Sequence, residues 1–106
     1  MVAFQSVNVK FNGISPDPRG VVTKTQLVKL DSGATTVGAA ILGWTLEFNS
    51  RNGNNHNVRA LGAQVGSVRL INKHTAEVVV NLRLTDDNEN FVDPDTSSVQ
   101  LLLIGS

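Results

Sequence analysis

The chain has no cysteine and no tyrosine. The first absence excludes disulfides, thiolate zinc sites and Cys nucleophiles, and leaves the redox compartment open. With one Trp and four Phe, aromatics make up 5% of the residues. That is a thin supply of the stacking platforms used by sugar and base sites. Long apolar runs are also missing, and none approaches the roughly 20 residues a membrane helix needs. Met1 to Ser6 offers neither a basic region nor an apolar stretch, so no classical signal peptide is expected. Nine basic and nine acidic side chains cancel. Without a global field, nothing draws the chain onto nucleic acid or an anionic membrane. Neutrality also removes the long-range repulsion that would oppose packing of many copies. The two histidines, His56 and His74, fall in predicted turns. No Gly-x-Ser-x-Gly elbow, Walker loop or His-Glu-x-x-His helix is present, so a non-enzymatic protein is expected.

What the chain does contain is alternation. Residues 1–106 are expected to form one domain, near the commonest domain size and large enough for a single modest core. Ala40, Leu42, Trp44, Leu46 and Phe48 recur at period two, which predicts a strand with that face buried and Trp44 in the core. Ala76, Val78, Val80, Leu82 and Leu84 alternate in the same way with Thr75, Glu77, Val79, Asn81 and Arg83. Val2 to Phe11 changes phase between Phe4 and Val7, predicting a kinked or bulged strand. Val21 to Leu30 reads as a further strand, its lysines suggesting an edge. From Val58 to Ile71 the phase slips near Ala60 and again near Gly66, with Gly62 and Gly66 as bulge candidates. Val99 to Ile104 is apolar on both faces at its end, which fits a strand central in a sheet or covered by a second subunit. About six strands with no helical period predict an all-β fold, an antiparallel β-sandwich.

Three constellations bear on function. The loop from Asp86 to Asp95 holds five acids and no base, and Asp86-x-Asn88-x-Asn90 has the oxygen spacing that opens a helix-loop-helix calcium site. Phe91 stands where that motif needs Gly, and Ser97 where it needs a bidentate Glu. A different calcium site would use Asp86, Asn88, Asp93 and Asp95, and the plainer reading is a solvated loop with no cofactor. Eight of the nine basic residues lie between Lys10 and Lys73, so one subunit's acidic loop can meet a neighbour's basic loop around Arg51 and Arg59. In the polar run Asn49 to Arg59, the planar groups of Asn55, His56 and Arg59 suit hydrogen bonds to sugar hydroxyls. Lastly, Leu101 and Leu103 share the phase of Val99, whereas Leu102 and Ile104 share that of Gln100. Leu102 and Ile104 are therefore expected at a homo-oligomer interface.

An apolar strand ending in Leu42-Gly43-Trp44, a polar loop, Asn57-Val58-Arg59, the alternating Ala76 to Leu84 strand and the closing Val99 to Gly105 together resemble the H-type lectin domain, known from discoidin and snail agglutinins. The resemblance spans Ala39 to Gly105. It implies a six-stranded sandwich, assembly as trimers or hexamers, and galactose-type sugars bound between subunits. The closing strand here lacks a Trp, and the acidic loop replaces an aromatic-rich segment, so the resemblance bears on the trimer more than on the sugar site. The chain is also similar to small bacterial and phage β proteins that share a Gly-aromatic strand and a late Asp/Asn loop. Two functions follow. One is a self-assembling structural or attachment module of a phage particle or similar bacterial assembly, whose partners are its own copies, other particle proteins or a surface glycan. That function would place the chain in a virion or extracellular particle. The other is a glycan-binding lectin.

Overall fold

The computed structural model describes residues 2–48, 58–86 and 90–106, with backbone alone at 58 and 59. Six strands follow in order: β1 (Ala3–Lys10), β2 (Val21–Lys29), β3 (Val37–Thr45), β4 (Val58–Asn72), β5 (Thr75–Asp86) and β6 (Ser98–Gly105). No helix occurs among the described residues. The strands form two antiparallel three-stranded sheets, ordered β1-β6-β3 and β2-β5-β4. They pack face to face with β1 beside β2 at one edge and β3 beside β4 at the other. This is the β-sandwich that the alternation predicts.

The core belongs to the two central strands. Ala76, Val78, Val80 and Leu82 of β5 are fully buried and Leu84 nearly so, as are Val99, Leu101 and Leu103 of β6. Val9, Phe11, Val22, Val28, Leu30 and Val92 complete the layer. Each large side chain removed from water there contributes roughly 1.5–3 kcal/mol. A central strand is flanked on both sides and covered by the facing sheet, so every second residue has nowhere to go but the interior.

At the edges, period-two reading needs correction. The kink expected in β1 is absent: its register with β6 runs unbroken from Ala3 to Lys10. Phe4 simply lies on the outer face, opposite Ile104, and is 65% exposed. In β3, a bulge between Ile41 and Gly43 reverses the phase. Ala40 and Leu42 face outward, while Leu46 and Phe48 pack against the core. Trp44 is 51% exposed and so is not the buried residue that its spacing predicts. Four apolar residues that share a period therefore do not share a face.

The remaining edges are closer to expectation. β2 is an edge strand, as its lysines suggest, and Lys24 and Gln26 occupy positions in phase with buried Val22 and Val28. A charge pointing inward at an edge discourages further strands from pairing there. Gln5 ties this edge to the facing sheet, its Nε2 donating to the Lys29 carbonyl at 2.8 Å and its Oε1 accepting from Asp31 N at 3.1 Å. β4 breaks register at Gly66, between Val65 and Ser67, but continues through Gly62, with further shifts near its two ends.

The loops are held by side chains acting on backbone. Asp17 Oδ1 accepts from Arg19 N at 2.8 Å and Val21 N at 3.0 Å, closing the turn before β2. Gly20 completes that turn at φ 79°, left-handed backbone that glycine adopts without strain. A Cβ there would collide with Thr85 and Phe91, so the loop is pressed onto the end of β5.

Candidate functional site

The expected sugar ligands Asn55 and His56 lie outside the described residues, as does the side chain of Arg59, whose backbone belongs to β4. Of the proposed calcium ligands, Asn88 also lies outside them. Asp86 is buried, and its Oδ1 and Oδ2 accept from the backbone and side-chain nitrogens of Asn90, both at 2.8 Å. Asp93 Oδ1 accepts from Asp95 N at 3.0 Å, and Asp95 Oδ1 from Gly13 N at 3.2 Å. These carboxylates thus act as acceptors that shape the loop. Among the described residues no group of three or more His, Asp or Glu is placed to hold a metal ion. Ser97, at the position the calcium motif reserves for Glu, is buried and accepts from Glu47 N at 3.2 Å.

Leu102 and Ile104 sit on the outer face of the β1-β6-β3 sheet, pointing away from the core. Cross-strand pairing fills in their neighbours: Phe4, Ile104 and Gly38 form one row, and Ser6, Leu102 and Ala40 the next. Leu42, 58% exposed, continues the apolar surface beyond them. The following rows are Asn8, Gln100 and Gly43, then Lys10, Ser98 and Thr45. Among the paired strand positions of this face the one charge is Lys10, at the far end. A sheet face open to water usually alternates apolar-in with polar and charged-out. Here the outward positions are small, uncharged or apolar.

The outer face of β2-β5-β4 is different. Lys29, Arg69, Glu77 and Arg83 all project from it, and Arg69 pairs with Glu77 through Nε at 3.0 Å. The Glu77 carboxylate, by hydrogen bond and by charge, raises the pKa of Arg69 further above its ordinary value. Towards the opposite end of this face lies a groove of about 570 Å³, lined by the polar Asp17, Arg19, Thr23, Gln64, Asn81 and Arg83 and by Gly62 and the apolar Val21, Ala60, Leu61, Ala63 and Leu82. A second hollow, of about 800 Å³, shares Arg19, Ala60 and Arg83 with it and extends to Phe91 and Asp86. Thr23 Oγ1 donates to Asn81 Oδ1 at 2.8 Å, and Arg83 Nε donates to the Arg19 carbonyl at 3.1 Å. Asp17 pairs with Arg19 at 3.4 Å. Its carboxyl is held below the ordinary Asp value, first by the Val21 N–H and then by Arg19.

Sequence reasoning did not reach this groove. Asn81 and Arg83 were visible as outward positions of β5, but their neighbours come from β2, β4 and the Asp17 turn. Only strand pairing sets Thr23 and Gln64 on either side of Asn81, and Gly62 beside Arg83.

The geometry thus defines a small antiparallel β-sandwich with one nearly uncharged apolar face and one polar, grooved face. Comparison of the chain with protein-family models, curated proteins and solved structures gave no match.

Proposed function

We propose that this chain is a non-catalytic, self-assembling β-sandwich, a structural or surface-attachment component of a phage particle or similar bacterial assembly. The observation that carries the reading is the outer face of β1-β6-β3, where Phe4, Ile104, Leu102, Ala40 and Leu42 adjoin and Lys10 is the one charge among the paired strand positions. Depletion of charge and enrichment of apolar and aromatic side chains mark the centres of protein interfaces. A surface without charge needs no complementary charge opposite, so further copies of this chain are its natural partners. Burying Phe4 and Leu42 fully would contribute about 2 kcal/mol each, before the cost of association. The resemblance to H-type lectins favours a trimer.

Light scattering tests the assembly. The wild type should show a multiple of the 11.3 kDa chain mass at micromolar concentration, and Phe4→Asp should lower it. Because Phe4 is mostly exposed, that variant should stay folded, which circular dichroism checks. A Leu102→Asp, Ile104→Asp double variant should also dissociate. A monomeric wild type, or a folded Phe4→Asp protein of unchanged mass, would sink the proposal.

A second reading, glycan binding, is favoured by one observation. Half-exposed Trp44 lies near the end of β3, which leads towards the run containing Asn55, His56 and Arg59. Its indole offers a face on which a sugar ring can stack. A glycan array on the wild type and on Trp44→Ala distinguishes this reading, since a hit lost in the folded variant assigns Trp44 to a sugar site.

A further inference from the structure

The groove on the β2-β5-β4 face lies on the opposite side of the sandwich from the apolar face. We infer that it is a binding site for a carboxylated sugar unit, with Arg83 taking the carboxylate and Thr23, Asn81 and Gln64 taking ring hydroxyls. Its volume of about 570 Å³ falls within the roughly 300–1,000 Å³ usual for small-ligand pockets.

The argument begins with Arg83. Its Nε–H is engaged by the Arg19 carbonyl, which anchors one edge of the guanidinium against the turn. The two amino groups beyond Nε supply the remaining donors of a rigid fork, whose geometry matches a carboxylate. Beside Arg83 in the sheet is Gly62, where an added Cβ would meet nothing within 4 Å. The groove is therefore open on the β4 side of Arg83, and both Gly62 and Arg83 line it.

The carboxylate that lines this groove does not compete. Asp17 already accepts from two backbone N–H groups and pairs with Arg19. With that charge offset, Arg83 leaves the groove locally positive. Next along the sheet come Thr23, Asn81 and Gln64 in one cross-strand row. The Thr23 hydroxyl donates to Asn81 Oδ1, so its own lone pairs remain acceptors and the Asn81 amide nitrogen is a donor. Gln64 supplies one of each. Mixed donors and acceptors next to a guanidinium suit a hydroxylated ring bearing one carboxylate. An inorganic anion leaves the amide row unused, and a neutral sugar forgoes the charge-assisted pair that a carboxylate makes with the guanidinium.

The test is a titration followed by amide chemical shifts, using methyl glucuronide, methyl glucoside and acetate as separate probes. Methyl glucuronide should shift the amides of Thr23, Gln64, Asn81 and Arg83 saturably. Methyl glucoside and acetate should each bind weaker by about tenfold or more, as loss of a charge-assisted hydrogen bond or of the hydroxyl contacts implies. Arg83→Gln and Gly62→Val should each abolish or strongly weaken the response. The second fills the space beside Arg83 in a strand position that tolerates a β-branched residue. Arg69→Gln, which removes the same charge from the same face outside the groove, should leave it intact. Four outcomes overturn the proposal: no saturable shift, equal binding of methyl glucoside, equal binding of acetate, or equal loss in Arg69→Gln. The light-scattering mass of Gly62→Val should match the wild type, so failure here and failure of the self-assembly reading are separate results.

Discussion

Trp44 lies opposite Val99 in the β3–β6 ladder, yet Val99 is fully buried and Trp44 is 51% exposed. β6 is flanked by β1 and β3, whereas β3 ends its sheet and leaves the indole partly open. Trp44→Ala should therefore cost about half of the roughly 3–5 kcal/mol expected for a buried aromatic. Phe11→Ala, at a fully buried position, should cost the full amount. Urea denaturation of both variants checks this, and iodide should quench wild-type Trp fluorescence. Equal losses for the two would place Trp44 in the core after all.

Two left-handed glycines among the described residues make a matched pair. Gly13 and Gly20 have φ of 78° and 79°, so alanine at either should cost on the order of 1–2 kcal/mol of backbone strain. At Gly13 nothing lies within 4 Å of the added Cβ, and strain is the whole cost. At Gly20 the Cβ would also meet Thr85 and Phe91, adding roughly 1–3 kcal/mol of overpacking. Thermal melts of Gly13→Ala and Gly20→Ala should rank in that order, and the reverse ranking would contradict the packing of this turn on β5.

Asp17 should make folding sensitive to acid. Hydrogen bonds from Val21 and Arg19 hold its carboxyl below the ordinary Asp value. Its contribution is thus fully present above the unfolded value, about 3.9, and is lost as pH falls through the lower folded one. Wild type should exceed Asp17→Asn in stability at neutral pH, with the gap closing only in strong acid. A gap that is constant down to pH 2 would argue that the carboxylate charge is irrelevant to the turn.

The acidic loop yields a prediction about calcium. Both Asp86 oxygens already accept from Asn90, and Asp93 and Asp95 also cap backbone N–H groups. Asp86→Ala should cost about 1–3 kcal/mol, the loss expected when buried partners go unsatisfied. Adding calcium or a chelator should leave the melting temperature unchanged. A rise with calcium would show that the loop rearranges to bind it, by mass action.

How far the fold was legible depends on where each residue sits in its sheet. Alternation in β5 and at the end of β6 marks the core face correctly, because a strand flanked on both sides must bury one side-chain row whole. Turn residues mark the loops, and Gly66 marks its bulge, because those preferences are local. Alternation says which residues share a face, but it names neither the inward face nor the edge strands. Phe4 joins Ile104 on the outside because β1 keeps one register, and Trp44, opposite buried Val99, opens to solvent because β3 is the edge of its sheet. The Arg83 groove joins residues far apart in the chain: Arg83 donates to the carbonyl of Arg19, 64 positions away. Only long-range pairing and sheet-on-sheet packing bring such residues together, since no local preference of the chain encodes their meeting.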